Sequence, residues 1–235
     1  MLSSNGSLLV TGSSRGLGRL LAEAYLSMGK MVFGCSRSVS TVEHENYRHF
    51  VLDIADEASI VAMFKEISLL KIRLDLVINN AGVTQSSLGI LTGAKTASHI
   101  INTNILGTFL VTREALKLMQ RQSYGRIVNF SSINVPLGSI GSSLYNASKA
   151  ATESMAGTLS RENAKVDITI NTIGVSLVDK TGMSDSLSPK VLAEKQRLLI
   201  KPDLIKVEEI IHAINFFASP LAKNISTQTI YFGGT

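Results

Sequence analysis

Short apolar runs of strand type alternate with segments of helical periodicity along nearly the whole chain. "SLLVTG" (Ser7–Gly12) is one such run, stopped by glycine, and Arg15–Met28 then carries Leu17, Leu20, Leu21, Ala24 and Tyr25 at helical spacing before Gly29. "MVFGCS" and "YRHFVLD" (Tyr47–Asp53) read as the next two strands, and Ala55–Leu70 as a helix with Ile60, Met63, Phe64 and Ile67 on one face. "LDLVINNAG" (Leu74–Gly82) is strand into loop. A long helix over about Lys95–Gln122 follows, then the strand "GRIVNFSS" (Gly125–Ser132). The remainder is a helix over Tyr145–Asn163, the strand "DITINTIG" (Asp167–Gly174), a helix over Val207–Ala218 and a last strand, "QTIYFGG" (Gln228–Gly234).

Strands separated by helices cannot be joined by tight hairpins, so they pair in parallel through right-handed crossovers with helices on both faces. The expected fold is therefore α/β, one domain over residues 1–235 built on a doubly wound, seven-stranded parallel sheet. Only Val175–Lys206 lacks a clear pattern. It is expected to form a lid, at about 176–206, over the site that the strand ends make.

Composition narrows the function. At 235 residues and 45% hydrophobic content the chain can bury a substantial core. The net charge of +5 is spread without basic clusters, and there is no Trp, which argues against a nucleic-acid surface and for a phosphate-bearing small molecule. Cys35 is the only cysteine, so no internal disulfide is available and a cytoplasmic setting is expected. No apolar run spans a bilayer, no secretion signal is read at the N-terminus, and no metal site is expected.

Two motifs carry chemistry. "TGSSRGLG" (Thr11–Gly18) lies between the first strand and the first helix. Gly12, Gly16 and Gly18 leave room for a diphosphate, and the helix start offers free N–H groups at the positive end of its dipole. Where the second strand ends, an NAD site usually has an acid for the ribose 2′-hydroxyl; here "CSRS" supplies Ser36 and Arg37. A guanidinium pairs with a 2′-phosphate, and Arg15 in the turn adds a second cation, so NADP(H) is expected. The other motif is "YNASK": Tyr145 and Lys149, at i and i+4, share a helical face. A phenol of pKa about 10 exchanges protons slowly at neutral pH, and a nearby ammonium is expected to lower that value.

The glycine spacing, "NNAG" (Asn79–Gly82), Ser132 placed 13 residues before Tyr145, and Tyr-x3-Lys together resemble the short-chain dehydrogenase/reductase family over essentially the whole chain. The style is that of its 3-oxoacyl-acyl-carrier-protein reductases. The resemblance implies a Rossmann fold and a tetrad. Ser132 orients a carbonyl, Tyr145 donates the proton, Lys149 tunes the tyrosine and holds the ribose, and Asn104 completes a relay through water. It also implies cofactor contacts from Gly12, Ser14, Arg15, Gly16, Leu17, Gly18, Ser36, Arg37, Asp53, Ile54, Asn80, Ala81, Gly82, Tyr145, Lys149, Val178 and Thr181. Ser131 is expected to support the loop.

The sequence departs from the family after the sixth strand. "IGVSLVDKTGM" has Val175 and Ser176 in place of Pro-Gly, and Lys180 as an inserted residue before Thr181. At the two positions where bacterial reductases of fatty-acid synthesis use arginines to dock the carrier protein, this chain has Ser123 and Val166, with Arg121 and Lys165 close by. Three functions are weighed on this basis. The first is an NADPH-dependent reductase of a 3-oxoacyl thioester on acyl carrier protein, or of a polyketide-type ketone. The others are a dehydrogenase of a small alcohol, sugar or polycyclic ketone, and a non-catalytic NADP(H) sensor. A homotetramer, or a homodimer, is the assembly the family implies, through the two long helices and the last strand.

Overall fold

Strand β1 (Ser7–Thr11) is buried along its whole length, as a central strand covered on both faces must be. The computed structural model describes residues 6–181 and 188–234. Residues 182–187, within the expected lid, and the chain ends at 1–5 and 235 lie outside the described residues. After β1 come helix α1 (Gly16–Ser27), strands β2 (Met31–Ser36) and β3 (Tyr47–Val51), and helix α2 (Glu57–Leu69). Strand β4 (Leu74–Asn79) leads to helix α3 (Ala94–Ile101), a π-helical segment (Asn102–Gly107) and helix α4 (Thr108–Gln122). Strand β5 (Tyr124–Ser132), a short helix α5 (Asn134–Leu137) and the long helix α6 (Ser143–Glu162) follow. The chain then runs through β6 (Asp167–Val175), α7 (Pro189–Gln196), α8 (Val207–Ala218) and β7 (Thr229–Tyr231).

The seven strands form one sheet in the order β3-β2-β1-β4-β5-β6-β7, every pair parallel. The expected architecture is the observed one. Side chains alternate between its faces. Leu8 and Val10 of β1 join Leu21 and Tyr25 of α1 and Ile210, Ile214 and Phe217 of α8 in one apolar layer. Leu9 points the other way, into a layer made with Ile60 and Met63 of α2 and Val111, Ala115 and Met119 of α4. Each such side chain contributes about 1.5–3 kcal/mol by leaving water.

Two expected elements differ. The helix over 95–122 is continuous, but it is interrupted in hydrogen bonding by the π turn at Asn102–Gly107. A π turn lodges an extra residue in a helix and re-aims its side chains, which periodicity does not reveal. Helix α2 starts at Glu57, capped by Asp56, whose carboxylate accepts from Ala58 N–H at 3.3 Å. Asp53 instead closes a local turn, accepting from Ala55 N–H at 2.9 Å.

The order of strands reverses between β1 and β4, so the chain leaves their C-terminal ends in opposite directions and opens a crevice there. Leu9, wholly buried at that centre, tests the core. Leu9→Ala is expected to destabilise the protein by about 2–5 kcal/mol. In urea denaturation this appears as a lower midpoint with an unchanged slope.

Candidate active site

The glycine turn is held to the neighbouring strand ends by a compact set of bonds. Thr11 Oγ1 accepts from Asn80 N–H (3.1 Å) and Ala81 N–H (3.0 Å), while Asn80 Nδ2 donates to the Thr11 carbonyl at 2.9 Å. Gly12 N–H donates to Cys35 O at 2.7 Å, tying the turn to β2 as well. Gly12 and Gly16 have φ of +72° and +54°, a region that strains other residues. A Cβ at Gly18 would overlap the Gly12 carbonyl, so only glycine lets α1 begin so close to the turn.

Helix α1 has Arg15 at its cap position, with no side chain bonded to the first N–H groups and no acid in the first turn. That leaves unpaired donors and the positive end of the helix dipole facing the crevice beside a surface free of side chains. These residues suit a dinucleotide diphosphate. Ser14 and Leu17 are partly exposed on the same turn, and Arg15 and Arg37 are exposed at its rim. Neither arginine makes an ion pair among the described residues. Ser36 Oγ donates to Ser38 O at 2.7 Å. Ile54 is buried, against the π turn at Gly107.

The four residues expected to react come from three elements. Ser132 ends β5 and is buried; its Oγ accepts from Asn134 N–H at 3.2 Å. Tyr145 and Lys149 sit in the first turns of α6. Lys149 is buried, its Nζ donating to Phe130 O at 2.8 Å and standing 5.9 Å from the Tyr145 ring centroid. Asn104 is buried in the π turn, where Oδ1 accepts from Val83 N–H (2.8 Å) and Nδ2 donates to Val83 O and to Ser148 Oγ (both 2.9 Å). Ser148 in turn donates to the Tyr145 carbonyl at 2.7 Å. Above Gly82, Asn104 Oδ1 and Lys149 Nζ each lie 3.3 Å from the point a Cβ would occupy, so both face one exposed glycine.

One expectation is corrected. Lys149 does not lower the phenol in the protein alone: burial pushes the Tyr145 pKa up, and the hydrogen bond with Ser132 pulls the other way. Burial also drives the lysine down to about 8, because an ammonium without a carboxylate partner loses its hydration there. The start of α6 is corrected too. The helix begins at Ser143, and Ser142 at its cap position makes no side-chain bond; the buried Gln85 caps it, its Oε1 accepting from Leu144 N–H (2.9 Å) and Tyr145 N–H (3.3 Å). Gln85 and Ser148 therefore set where the tyrosine sits, and sequence reading missed both. No local pattern marks Gln85, since it acts on a segment brought near only by folding, and the bond that Asn104 makes to Ser148 likewise spans 44 residues.

The Ser131 hydroxyl donates to the carboxylate of Glu153 in α6, not to the loop, and that carboxylate also accepts from Tyr231 OH at 2.8 Å. After β6, Val178 is buried in a one-pair parallel bridge with Ile205. Thr181 Oγ1 donates to Val178 O at 2.9 Å, and the Thr181 carbonyl stands 3.2 Å from the Cβ position of Gly16. The segment that follows β6 thus meets the glycine turn. Lys180, the inserted residue, takes φ of +57° to make the bend. The described residues hold no cluster of metal-ligating side chains and no helix long and apolar enough to cross a membrane.

This fold and this crevice define a dinucleotide-dependent oxidoreductase of α/β type. The short-chain dehydrogenase profile matches residues 7–192, and the chain belongs to that family. A 3-oxoacyl-acyl-carrier-protein reductase of Buchnera aphidicola subsp. Schizaphis graminum is 32% identical over 234 residues, covering 96% of this chain and 95% of the relative. The Escherichia coli (strain K12) reductase of the same name is 30% identical with the same coverage. Among solved structures, ElxO with NADP bound superposes with a TM-score of 0.87 at 27% identity, over 97% of this chain and 96% of its own.

The buried lysine makes a measurable prediction. The folded protein holds this amine at about 8 and an unfolded chain at about 10.5, so the unfolded chain binds more protons between those values. Lys149 therefore contributes a rise in stability as pH climbs through that window, and a constant penalty below it. Urea melts at either end of the window are expected to show this rise in the wild type, relative to Lys149→Met, without added nucleotide.

Proposed function

We propose that this protein is an NADP(H)-dependent ketone reductase whose substrate is a 3-oxoacyl thioester on acyl carrier protein or a polyketide-type chain. The observation that carries the reading is the convergence of Ser132, Tyr145, Lys149 and Asn104 beside a glycine turn whose helix start is open to a diphosphate. The nicotinamide, when bound, supplies the hydride. Ser132 holds the substrate carbonyl by a hydrogen bond, and Tyr145 donates its phenolic proton to that oxygen as negative charge develops. A phenol held up by burial stays protonated at neutral pH, as a proton donor must. The phenolate recovers its proton from Lys149, an amine whose pKa of about 8 makes it a ready donor. Asn104, fixed by three hydrogen bonds, faces the same point as Lys149 and is placed to pass a proton onward through water.

Gly12, Ser14, Gly16, Leu17 and Gly18 hold the diphosphate in this reading, and Arg15, Ser36 and Arg37 take the 2′-phosphate. Asp53 and Ile54 bound the adenine, Asn80, Ala81 and Gly82 the nicotinamide ribose, and Val178 and Thr181 the carboxamide side. The 30–32% identity to carrier-protein reductases supports the acyl substrate. Ser123 and Val166, in place of the docking arginines, favour a second reading in which the ketone is small and free. A homotetramer through α4, α6 and β7 is the proposed assembly.

Tyr145→Phe is expected to lower kcat about 10²–10⁴-fold with little change in cofactor affinity, followed by NADPH oxidation. Retention of near-full activity would remove the mechanism. Arg37→Asp is expected to reverse the preference from NADPH to NADH, read as the ratio of the two kcat/KM values. A panel of carrier-bound, coenzyme A and free ketones separates the two substrate readings; the acyl reading fails if only free ketones turn over.

A further inference from the structure

His49 has no role in the reaction as derived, yet it lies in the densest polar cluster outside the reacting residues. It stands on β3 directly opposite Gly34 of β2. Its Nε2 lies 3.1 Å from Ser36 Oγ and 3.0 Å from the Ser38 carbonyl. Its Nδ1 lies 2.9 Å from Tyr47 OH and 3.4 Å from Ser13 Oγ, and Tyr47 OH donates to Ser13 Oγ at 3.0 Å. Ser13 belongs to the glycine turn, and its N–H also reaches Cys35 O at 3.3 Å. A Cβ at Gly34 would overlap both Tyr47 OH and Ser13 Oγ, so the cluster closes only over a glycine.

The proton positions follow from the partners. A carbonyl can only accept, so Ser38 O requires Nε2 to carry the proton, and Nδ1 is left to accept from a hydroxyl. Burial lowers the imidazole pKa, against the pull of the Ser38 carbonyl, so a neutral ring meets every one of these demands. The Nε2–H is thus shared between Ser36 and Ser38, the two residues that flank Arg37. Arg37 itself is exposed on a turn after the strand, where a long side chain is free to sample many rotamers.

We propose that His49 is a positioning residue for recognition of the cofactor 2′-phosphate: it grips Ser36 and Ser38 on either side of Arg37 and ties them, through Tyr47 and Ser13, to the glycine turn. This rests on the NADP(H) reading above. The clasp holds the base of Arg37 beside the phosphate position without bonding the cofactor itself. Preorganisation of this kind reduces the ordering cost of binding, and it acts only on the group that the turn meets. NADH, which lacks that phosphate, gains nothing from it.

The test is titration of NADPH and NADH, by the change in nicotinamide fluorescence or by calorimetry, against the wild type, His49→Ala, His49→Gln, Arg37→Ala and the double variant His49→Ala/Arg37→Ala. His49→Ala is expected to raise the NADPH Kd about tenfold, the effect of one to two lost hydrogen bonds, and the NADH Kd by less than about twofold. His49→Gln, whose amide can again donate to Ser38 O, is expected to recover part of the loss. The double variant is expected to bind NADPH no more weakly than Arg37→Ala alone, because His49 acts through the turn that carries the arginine. Equal weakening toward both cofactors, or losses that add in the double variant, would overturn the proposal. If His49→Ala does not fold, His49→Gln and Tyr47→Phe decide by the same NADPH-to-NADH ratio. A wild type that binds both cofactors equally refutes the cofactor reading and this inference with it. A wild type that selects NADPH, with variants that do not change the selection, refutes the inference alone.

Discussion

The site depends on how β1 ends. Thr11 is the last residue of the central strand, and its hydroxyl and carbonyl hold Asn80 and Ala81 at the end of β4. That set of bonds ties the two strands together at the place where strand order reverses, and the crevice exists because the chain diverges there. The glycine turn leaves from the same residue, bonded on its other side to Cys35 of β2. Nucleotide cradle, ribose loop and second-strand rim are therefore three outgrowths of one hydrogen-bonded junction.

Around that junction several buried polar groups are paired across elements, although Asn79 Oδ1 at the end of β4 and Asn146 Oδ1 in α6 find no partner among the described residues. Asn104 answers the backbone of Val83 and the hydroxyl of Ser148, and Gln85 supplies the cap that α6 does not carry in its own sequence. Each of these bonds serves two purposes. It prevents the cost of an unpaired buried donor or acceptor, about 1–3 kcal/mol, and it orients a residue that faces the crevice. Lys149 is held less fully, by one carbonyl, and burial weakens its charge accordingly. A site meant to receive an anionic nucleotide keeps an ammonium that the protein alone does not neutralise.

Much of this was legible before folding is considered. The alternation of apolar strands and helices leads to the parallel sheet, since burial on both faces demands continuous apolar runs such as Leu8–Val10. The glycine turn, Ser132, Tyr145 and Lys149 are recognisable because their spacing follows from strand ends and helical turns. The π turn was not legible, because residues 94–122 keep helical periodicity on both sides of it and the bonds that Asn104 makes within it reach Val83, outside the helix. Periodicity starts α2 at Ala55, but the helix begins at Glu57, where Asp56 caps it. The direction of the Tyr145 pKa was misjudged for a related reason. Proximity of Lys149 along a helix says nothing of the burial that outweighs it.

By itself, then, the sequence determines the layers, the order of secondary elements and the chemical types that meet at the strand ends, because hydrophobic periodicity and local turn chemistry act over a few residues. Tertiary structure alone decides how those types are held. Gln85 reaches the first turn of α6, Ser148 links Asn104 to Tyr145, and His49 closes over the two neighbours of Arg37. Apart from the Ser148–Tyr145 contact within α6, each joins segments apart in sequence, and the His49 cluster closes because Gly34 lies opposite it in the register of β2 and β3. Short-range patterns cannot encode such bonds, since their partners are chosen by where the sheet puts them.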